Sequence, residues 1–464
     1  MPFLLQNSSS ANFTYTQGWT SGTLLTVTSG DSRITTNSTR TNLIPQLNAS
    51  YLIQVRQHIL QGLGFAPNRR YIVIARNNRE IVDIAFRQQI IFTTTQIENL
   101  YWNLVSAYED LTAKQRALAL AQQLEANNRR QLQVGTLAQI DVVNAQAQVA
   151  SAEQDIIISQ TNLQLQELLM KNAITKHEND PALVAAAVVP TDRMQLPPVE
   201  PVEPIQELIQ EALQRRPELA QARIDLTNRR ISENSARNAM LPALDLVANY
   251  GGSGLAGLVN PSAPPSTATF PVGFTDAFTS MNEHPTYFVG FNVNIPIRNR
   301  AAQADQIRSE LEYRQAEVHV QQLQNQIGID VRNAQFAVQQ NRARVDSAGK
   351  QRDYAAQVLD AEQKKLVQGM STTFNVLQDM SNLSTAENNL VAAMTAYEQS
   401  KVQLEVVTAR TLDDLGISIA DAETGKVTHM PNVPGVQPAP PATPPAQPAP
   451  PQPQAVPPNP PSQR

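Results

Sequence analysis

Hydrophobic positions recur along this chain with two different periods. In residues 47–61, Tyr51, Ile53, Val55 and Ile59 fall on one side while Gln54, Arg56 and His58 fall on the other. A period of two predicts a strand with one apolar face. Alternation returns after Leu241, with Leu244, Leu246, Ala248 and Tyr250 opposed to Asp245, Val247 and Asn249. It is cleanest in TYFVGFNVNIPI, where Tyr287, Val289, Phe291, Val293 and Ile295 oppose Gly290, Asn292 and Asn294. Residues 11–30 are rich in Thr, aromatic and β-branched residues and nearly free of charge, which also favours a strand. Asp31–Pro45 then reads as a link.

Between these runs the period changes to that of a helix. From about Asn78, the positions Ile81, Ile84, Ala85 and Phe92 open a stripe that passes Leu104 and Leu118 and reaches Leu132. No Pro or Gly interrupts it before Gly135. At 1.5 Å per residue that is a helix of roughly 80 Å. A second helix is predicted from Gln139 to Leu169. Ala301–Val367 forms another long helix, on the order of 100 Å. It is followed after Gly369 by a return helix to about Leu415. Pro217 opens a helix to Ala239, at the first-turn position where Pro is tolerated.

The order strand, long helix, Gly-containing turn, return helix therefore occurs twice. Shifting the sequence by about 234 residues superposes QVGTLAQIDVVNAQAQVASAEQ on VQGMSTTFNVLQDMSNLSTAEN. Gly135 meets Gly369, Val142 meets Val376, and Ala152-Glu153 meets Ala386-Glu387. Self-similarity at that distance reads as a duplicated domain. Each turn folds a long helix back on itself as an antiparallel hairpin.

Composition narrows the class. The chain has 464 residues, a formal net charge of -5 and no cysteine. Mild acidity without a basic block argues against nucleic acid. Lacking Cys, it has no disulfide, zinc-thiolate site or cysteine nucleophile. No run approaches the ~18 apolar residues of a spanning helix. Barrel strands need only ~9–11 alternating residues, so a membrane barrel stays open beside a soluble sandwich. The helices are rich in Ala, Gln and Asn, which suits a thin-walled tube as well as an ordinary coiled coil. The tail, 431–464, is dominated by Pro and predicts polyproline II or disorder.

Catalytic chemistry is not evident. His58, His177, His284, His319 and His429 show no metal-ligand spacing. Residues 252–257 match GxGxxG, but LVNPSAPPS follows instead of the helix that would hold a pyrophosphate, so 251–284 reads as a loop. Neither an enzyme nor a cofactor or metal site is expected.

The order of elements and the turn motifs resemble the outer membrane efflux proteins, the TolC-like channel family. QVGTLAQIDVVNAQ (133–146) is similar to that family's VG-x4-DV signature, QGMSTTFNVLQDM (368–380) to its second-repeat partner, and YFVGFNVNIPIRNRA (287–301) to the strand that passes into the helical barrel. The likeness covers residues 11–420. It implies a mainly α fold with a small β part. Long antiparallel α-helical hairpins would form an α-barrel in a homotrimer, and each subunit would add four strands to a twelve-strand transmembrane β-barrel. The implied division is barrel strands in 1–61, hairpin 78–175, an equatorial linker 176–215 and a leading helix 216–240. Barrel strands in 241–298 with an extracellular loop 251–284 and a second hairpin 301–415 complete it.

The resemblance implies a passive duct in the outer membrane of a Gram-negative-type bacterium, reaching into the periplasm. Its partners would be a periplasmic adaptor and, through it, an inner-membrane pump. Val134, Gly135, Asp141, Val142, Gly369, Asn375, Val376, Gln378 and Asp379 would form the docking tip and gate, and Tyr287, Val289, Phe291 and Val293 would face lipid. Several features depart from the family. A helix and a signal peptide are expected upstream of Met1. Asn375 and Gln378 stand where relatives often place acids. Asp141 matches a gating aspartate, but Leu366 and Ser371 occupy its partners' positions. For Gly135 and Gly369 a helix cap and a docking tip are compatible readings. For Asp141, a charge favoured by the helix dipole stands beside the gating role. The rival reading is a soluble coiled-coil periplasmic adaptor or scaffold, with its strand faces packed away from solvent.

Overall fold

The computed structural model describes residues 3–175, 186–198, 203–263 and 269–425. The Pro-rich tail and part of the expected equatorial linker lie outside them. Residues 3–414 form one compact unit. In a second unit, the described residues 415–425 hold the short helix α9 (Ile419–Thr424).

In the first unit a sheet carries two helical hairpins. The sheet comprises β1 (Gln6–Gly18), β2 (Thr23–Thr36), β3 (Leu43–His58), β4 (Ala243–Val259) and β5 (Thr286–Asn294). Its order follows the chain and every neighbouring pair is antiparallel. The first hairpin pairs α1 (Phe65–Gln133) with α2 (Gln139–Ile174). Helices α3 (Ile205–Arg215) and α4 (Pro217–Ala239) lead into β4, and α5 (Phe274–Ser280) lies between β4 and β5. The second hairpin pairs α6 (Arg300–Val367) with α7 (Thr373–Thr408), and the short α8 (Thr411–Asp414) follows.

The fold class holds, mainly helical with a small antiparallel sheet, but the sheet has five strands among the described residues, one more than the resemblance implies. Residues 11–30 are not one strand. Gly22, at φ +88, closes a turn in which its N–H donates to the Trp19 carbonyl, and the supposed link 31–45 supplies the end of β2 and the start of β3.

The loop expected at 251–284 is also corrected, because β4 runs on to Val259, paired with β3. The glycines there serve close packing. A Cβ on Gly252 would collide with the Met281 carbonyl, and one on Gly254 with that of Ala277, so only Gly lets α5 lie against the strand. Leu47, Ala49, Ala256, Ala277 and Met281 bury that contact.

Helix α1 starts thirteen residues before the expected Asn78. The missed signal is Pro67 in the first turn after Gly64. The Asn68 side chain donates to the carbonyls of Gly62 and Gly64, fixing the start. With 69 and 68 residues, α1 and α6 are each roughly 100 Å long.

The crossings between the sheet and the long hairpins lie at one end of the sheet. His58, which ends β3 before α1, faces Asp245 at the start of β4, and Ala243 faces Asn294, which ends β5 before α6. Midway along the hairpins, Leu208, Ile209 and Ala212 of α3 pack with Leu219 of α4, Ile327, Val331 and Ala334 of α6, and Val407 of α7. Residues 186–198 cross the hairpins there: the Tyr101 hydroxyl donates to Asp192 at 2.6 Å, that of Tyr108 to the Val188 carbonyl at 3.1 Å, and Arg342 to the Pro197 carbonyl at 2.9 Å.

Candidate channel wall and helical tips

The register brings the separate apolar stripes together. Ile53 faces Tyr250, which faces Tyr287; Val55, Ala248 and Val289 share the next rung of that face; Gln57, Leu246 and Phe291 the next. Val27 and Leu25 of β2 extend these rungs opposite Ile53 and Val55. The other face carries His58, Asp245 and Asn292 on one rung, Arg56, Val247 and Gly290 on another, and Gln54, Asn249 and Phe288 on a third. Gln57 interrupts the apolar face, and Val247 and Phe288 the polar one.

The apolar stripe is uncovered in the single chain. Tyr287 is 84% exposed, Val289 70%, Phe291 67% and Val293 58%. Burying such residues stabilises by about 1.5–3 kcal/mol each, so leaving four in water is a standing cost unless something apolar meets them. The polar face presents hydrogen-bonding groups, among them the His58 Nδ1 to Asp245 Oδ1 contact of 2.7 Å.

At the far end of the helices the two turns share one backbone geometry. The Gly135 N–H donates to the Leu132 carbonyl at 3.0 Å and that of Thr136 to Gln131 at 2.9 Å. The Gly369 N–H donates to Leu366 at 3.0 Å and that of Met370 to Lys365 at 2.9 Å. Gly135 has φ +78 and Gly369 φ +72. This is the Schellman cap, with glycine in the left-handed position.

Side chains at the two turns differ. Val134 and Asn375 are exposed and Asp141 is half-buried, while Val142 and Val376 are buried. Val376 joins Leu359, Met380 and Leu383 of its own hairpin to Ala121, Leu124 and Ala152 of the first. Gln378 donates to Asn382 at 3.2 Å, and Asn382 to Asp379 at 3.3 Å. Thr372 caps α7 by accepting from the Asn375 N–H at 3.4 Å, whereas Ala138 at the start of α2 has no capping side chain. The Ser371 hydroxyl donates to Glu362 of the opposing helix, and Asn375 donates to Ser371 at 3.4 Å. That hydrogen bond, together with Lys365 at 2.9 Å, lowers the Glu362 carboxyl below its usual range.

Sequence reasoning missed this group. The only signal was Glu362 lying on the helix face that meets the turn. The tip residues of the two hairpins otherwise lie where the repeat places them. No group of acidic or His side chains suited to a metal occurs among the described residues, and no described helix is long and apolar enough to cross a membrane.

A two-sided sheet from one end of which two roughly 100 Å hairpins extend to matched caps is the arrangement that suits an α-barrel and β-barrel class of protein. Residues 208–410 match the family model described as outer membrane efflux protein. The fold recurs in solved outer-membrane channels. CusC, whose crystal structures concern folding and transmembrane channel formation, aligns with a TM-score of 0.63 at 16% identity over 88% of this chain and 83% of its own. The outer membrane protein VceC of Vibrio cholerae gives 0.62 at 15% over 88% and 87%. The open-state outer membrane channel MtrE of Neisseria gonorrhoeae gives 0.57 at 16% over 89% and 81%. No curated protein matches the sequence.

Proposed function

We propose that the chain is one subunit of a homotrimeric outer-membrane channel-tunnel, a passive exit duct of a tripartite efflux or type I secretion system. The observation that carries this reading is the sheet's register: three alternating strands place their apolar stripes on one exposed face and their polar positions on the other. Lipid on one side and water on the other is the environment that such a wall fits. Tyr287, Val289, Phe291 and Val293 then meet acyl chains, Gln54, Arg56 and Asn292 line the bore, and the hairpins prolong it into the periplasm.

The turns around Gly135 and Gly369 form the closed tip and the surface that meets a periplasmic adaptor, which joins the duct to an inner-membrane pump. No catalytic group is needed, because the energy enters through the pump. Opening shifts the hairpin containing Asp141 and Val142 against that containing Asn375, Val376, Gln378 and Asp379. Disulfides introduced between the Asp141 and Asn375 turns, in a chain that has no cysteine of its own, are expected to stop export in an accumulation assay, with reductant restoring it. Undiminished export through a fully locked tip contradicts the gate. A protein that stays monodisperse without detergent favours the soluble adaptor instead.

A further inference from the structure

We infer that the junction between the sheet and the long hairpins carries an arginine collar that binds anionic phospholipid headgroups of the leaflet facing the periplasm. The inference rests on the channel-tunnel reading, which puts this junction at the periplasmic boundary of the membrane. The end of the apolar band is sharp. The stripe Tyr287, Val289, Phe291 and Val293 runs on through Ile295 and Ile297, 66% and 91% exposed, and the next residue is Arg298. Arg300 then opens α6. At the other crossing the exposed Phe65 opens α1, and the Arg69 guanidinium lies 4.6 Å from the centre of its ring. Hydrogen bonds tie both crossings to the one between them. The Gly62 N–H donates to the Asn238 side chain at 2.8 Å, and the Asn299 side chain donates to the Met240 carbonyl at 3.2 Å. The arginines of the two helix starts therefore share one level.

The charge at this level has one sign. Residues 59–79 hold four arginines and residues 284–304 hold two, and neither stretch has an acid, although the whole chain has a formal net charge of -5. Two carboxylates of the flanking helices are already engaged, Glu233 with Arg237 at 3.5 Å and Asp305 with Arg308 at 3.2 Å. Arg70 donates to the hydroxyls of Ser235 and Tyr71. Arg69, Arg298 and Arg300 are exposed and have no carboxylate partner among the described residues.

These arginines stand where the fold alone disfavours them. The start of a helix favours negative charge. Asp141, Glu207 and Glu218 follow that rule in α2, α3 and α4, whereas the first turns of α1 and α6 contain no acid and Arg300 is the first residue of α6. Arg298 has φ +66, in the left-handed region where glycine is the default. A membrane boundary gives such residues a use. The aliphatic stem of an arginine lies along the hydrocarbon edge while its guanidinium reaches the phosphates, with exposed rings such as Phe65 between them. A phosphate accepts two parallel hydrogen bonds from one guanidinium. Arginines close to an anionic lipid surface are drawn to it, and the attraction fades within a Debye length.

The test titrates the protein, extracted from membranes in neutral detergent, with phosphatidylglycerol and in parallel with phosphatidylcholine, and counts bound lipid by native mass spectrometry. The expected result is a preference for phosphatidylglycerol that shrinks as salt is raised. Combining Arg69→Gln, Arg298→Gln and Arg300→Gln should weaken phosphatidylglycerol binding by roughly tenfold or more, while the three Arg→Lys changes should keep the preference. Equal binding of the two lipids by the unaltered protein overturns the inference, and so does a preference that the glutamine protein retains. If the glutamine protein does not assemble, the lysine protein decides, and one that assembles without the preference shows that the arginines serve contacts between copies instead. Conductance in planar bilayers is recorded on the same preparations. Conductance without lipid preference overturns this inference alone, whereas a protein that neither conducts nor needs detergent overturns the channel reading, and this inference with it.

Discussion

The two tips have the same backbone and different chemistry. Both long helices end in a Schellman cap on a glycine with positive φ, yet the residue that reaches across each hairpin differs. In the second hairpin Glu362 holds Ser371, which holds Asn375. About 234 residues earlier the corresponding positions are Asn128, Leu137 and Asp141. There Asn128, fully buried, donates its Nδ2 to the Asp141 backbone carbonyl at 3.3 Å and leaves its Oδ1 without a partner among the described residues. Duplication has kept the turn and let the latch diverge. A turn set by backbone sterics needs one glycine, whereas a latch needs several side chains that agree.

The largest effect should test the shared part. No atom lies within 4 Å of a Cβ added at Gly135 or at Gly369, so Gly135→Val and Gly369→Val should each lose about 1–2 kcal/mol through backbone strain alone. Hydrogen exchange of the amides around each turn measures this. A large loss at one tip beside none at the other would break the equivalence. Next come the caps. Thr372→Ala should cost ~1 kcal/mol, and Ala138→Thr should gain a similar amount by giving the first tip the cap it lacks. If Ala138→Thr leaves exchange at 139–142 unchanged, the missing cap is not what separates the tips.

Much of this comparison could be read from the sequence. The glycine pair, the matching of Val142 with Val376 and the alternating stripes all follow from the repeat and from local periodicity, and these survive folding. The latch did not show, because Glu362 and Ser371 meet only once the hairpin has closed. Helix α5 was hidden for a related reason. Gly252 and Gly254 look like loop residues until the Ala277 and Met281 carbonyls are placed against them. The split of residues 11–30 hung on one turn, Trp19–Gly22, in a stretch where every residue suits a strand.

A smaller effect separates the hairpins by pH. Glu98 of the first hairpin is pushed up to about 7, first by burial and then by Glu405 and Asp414. The position about 234 residues on is Arg332, which donates to the Gly328 carbonyl at 3.2 Å. A raised carboxyl favours the folded state in its protonated form. That contribution is complete below the usual 4.5 and is lost as pH climbs to about 7. Glu98 is only partly buried, with its Oε2 shielded from solvent and without a hydrogen-bond partner among the described residues, so the effect stays modest. Thermal midpoints of the native protein should fall modestly over that interval, and Glu98→Gln should flatten the slope. An unchanged slope would show that Glu98 does not carry it.

The smallest effect lies in the second latch and has the opposite sign. Glu362 is lowered, chiefly by the Ser371 hydrogen bond and then by Lys365. A lowered carboxyl contributes stability above its unfolded value and loses it as pH falls through the folded value. Ser371→Ala removes the largest cause and keeps Lys365, so the Glu362 carboxyl signal in carbon-labelled protein should titrate closer to the ordinary range. Exchange at Met370–Asn375 should then respond less steeply to acid. Asn128, in the matching place of the first hairpin, has no proton to gain over this range, so exchange at its turn should not follow the variant. If Ser371→Ala leaves the Glu362 midpoint in place, the lowering belongs to Lys365. In that case the difference between the tips would lie in the caps rather than in a cross-hairpin latch.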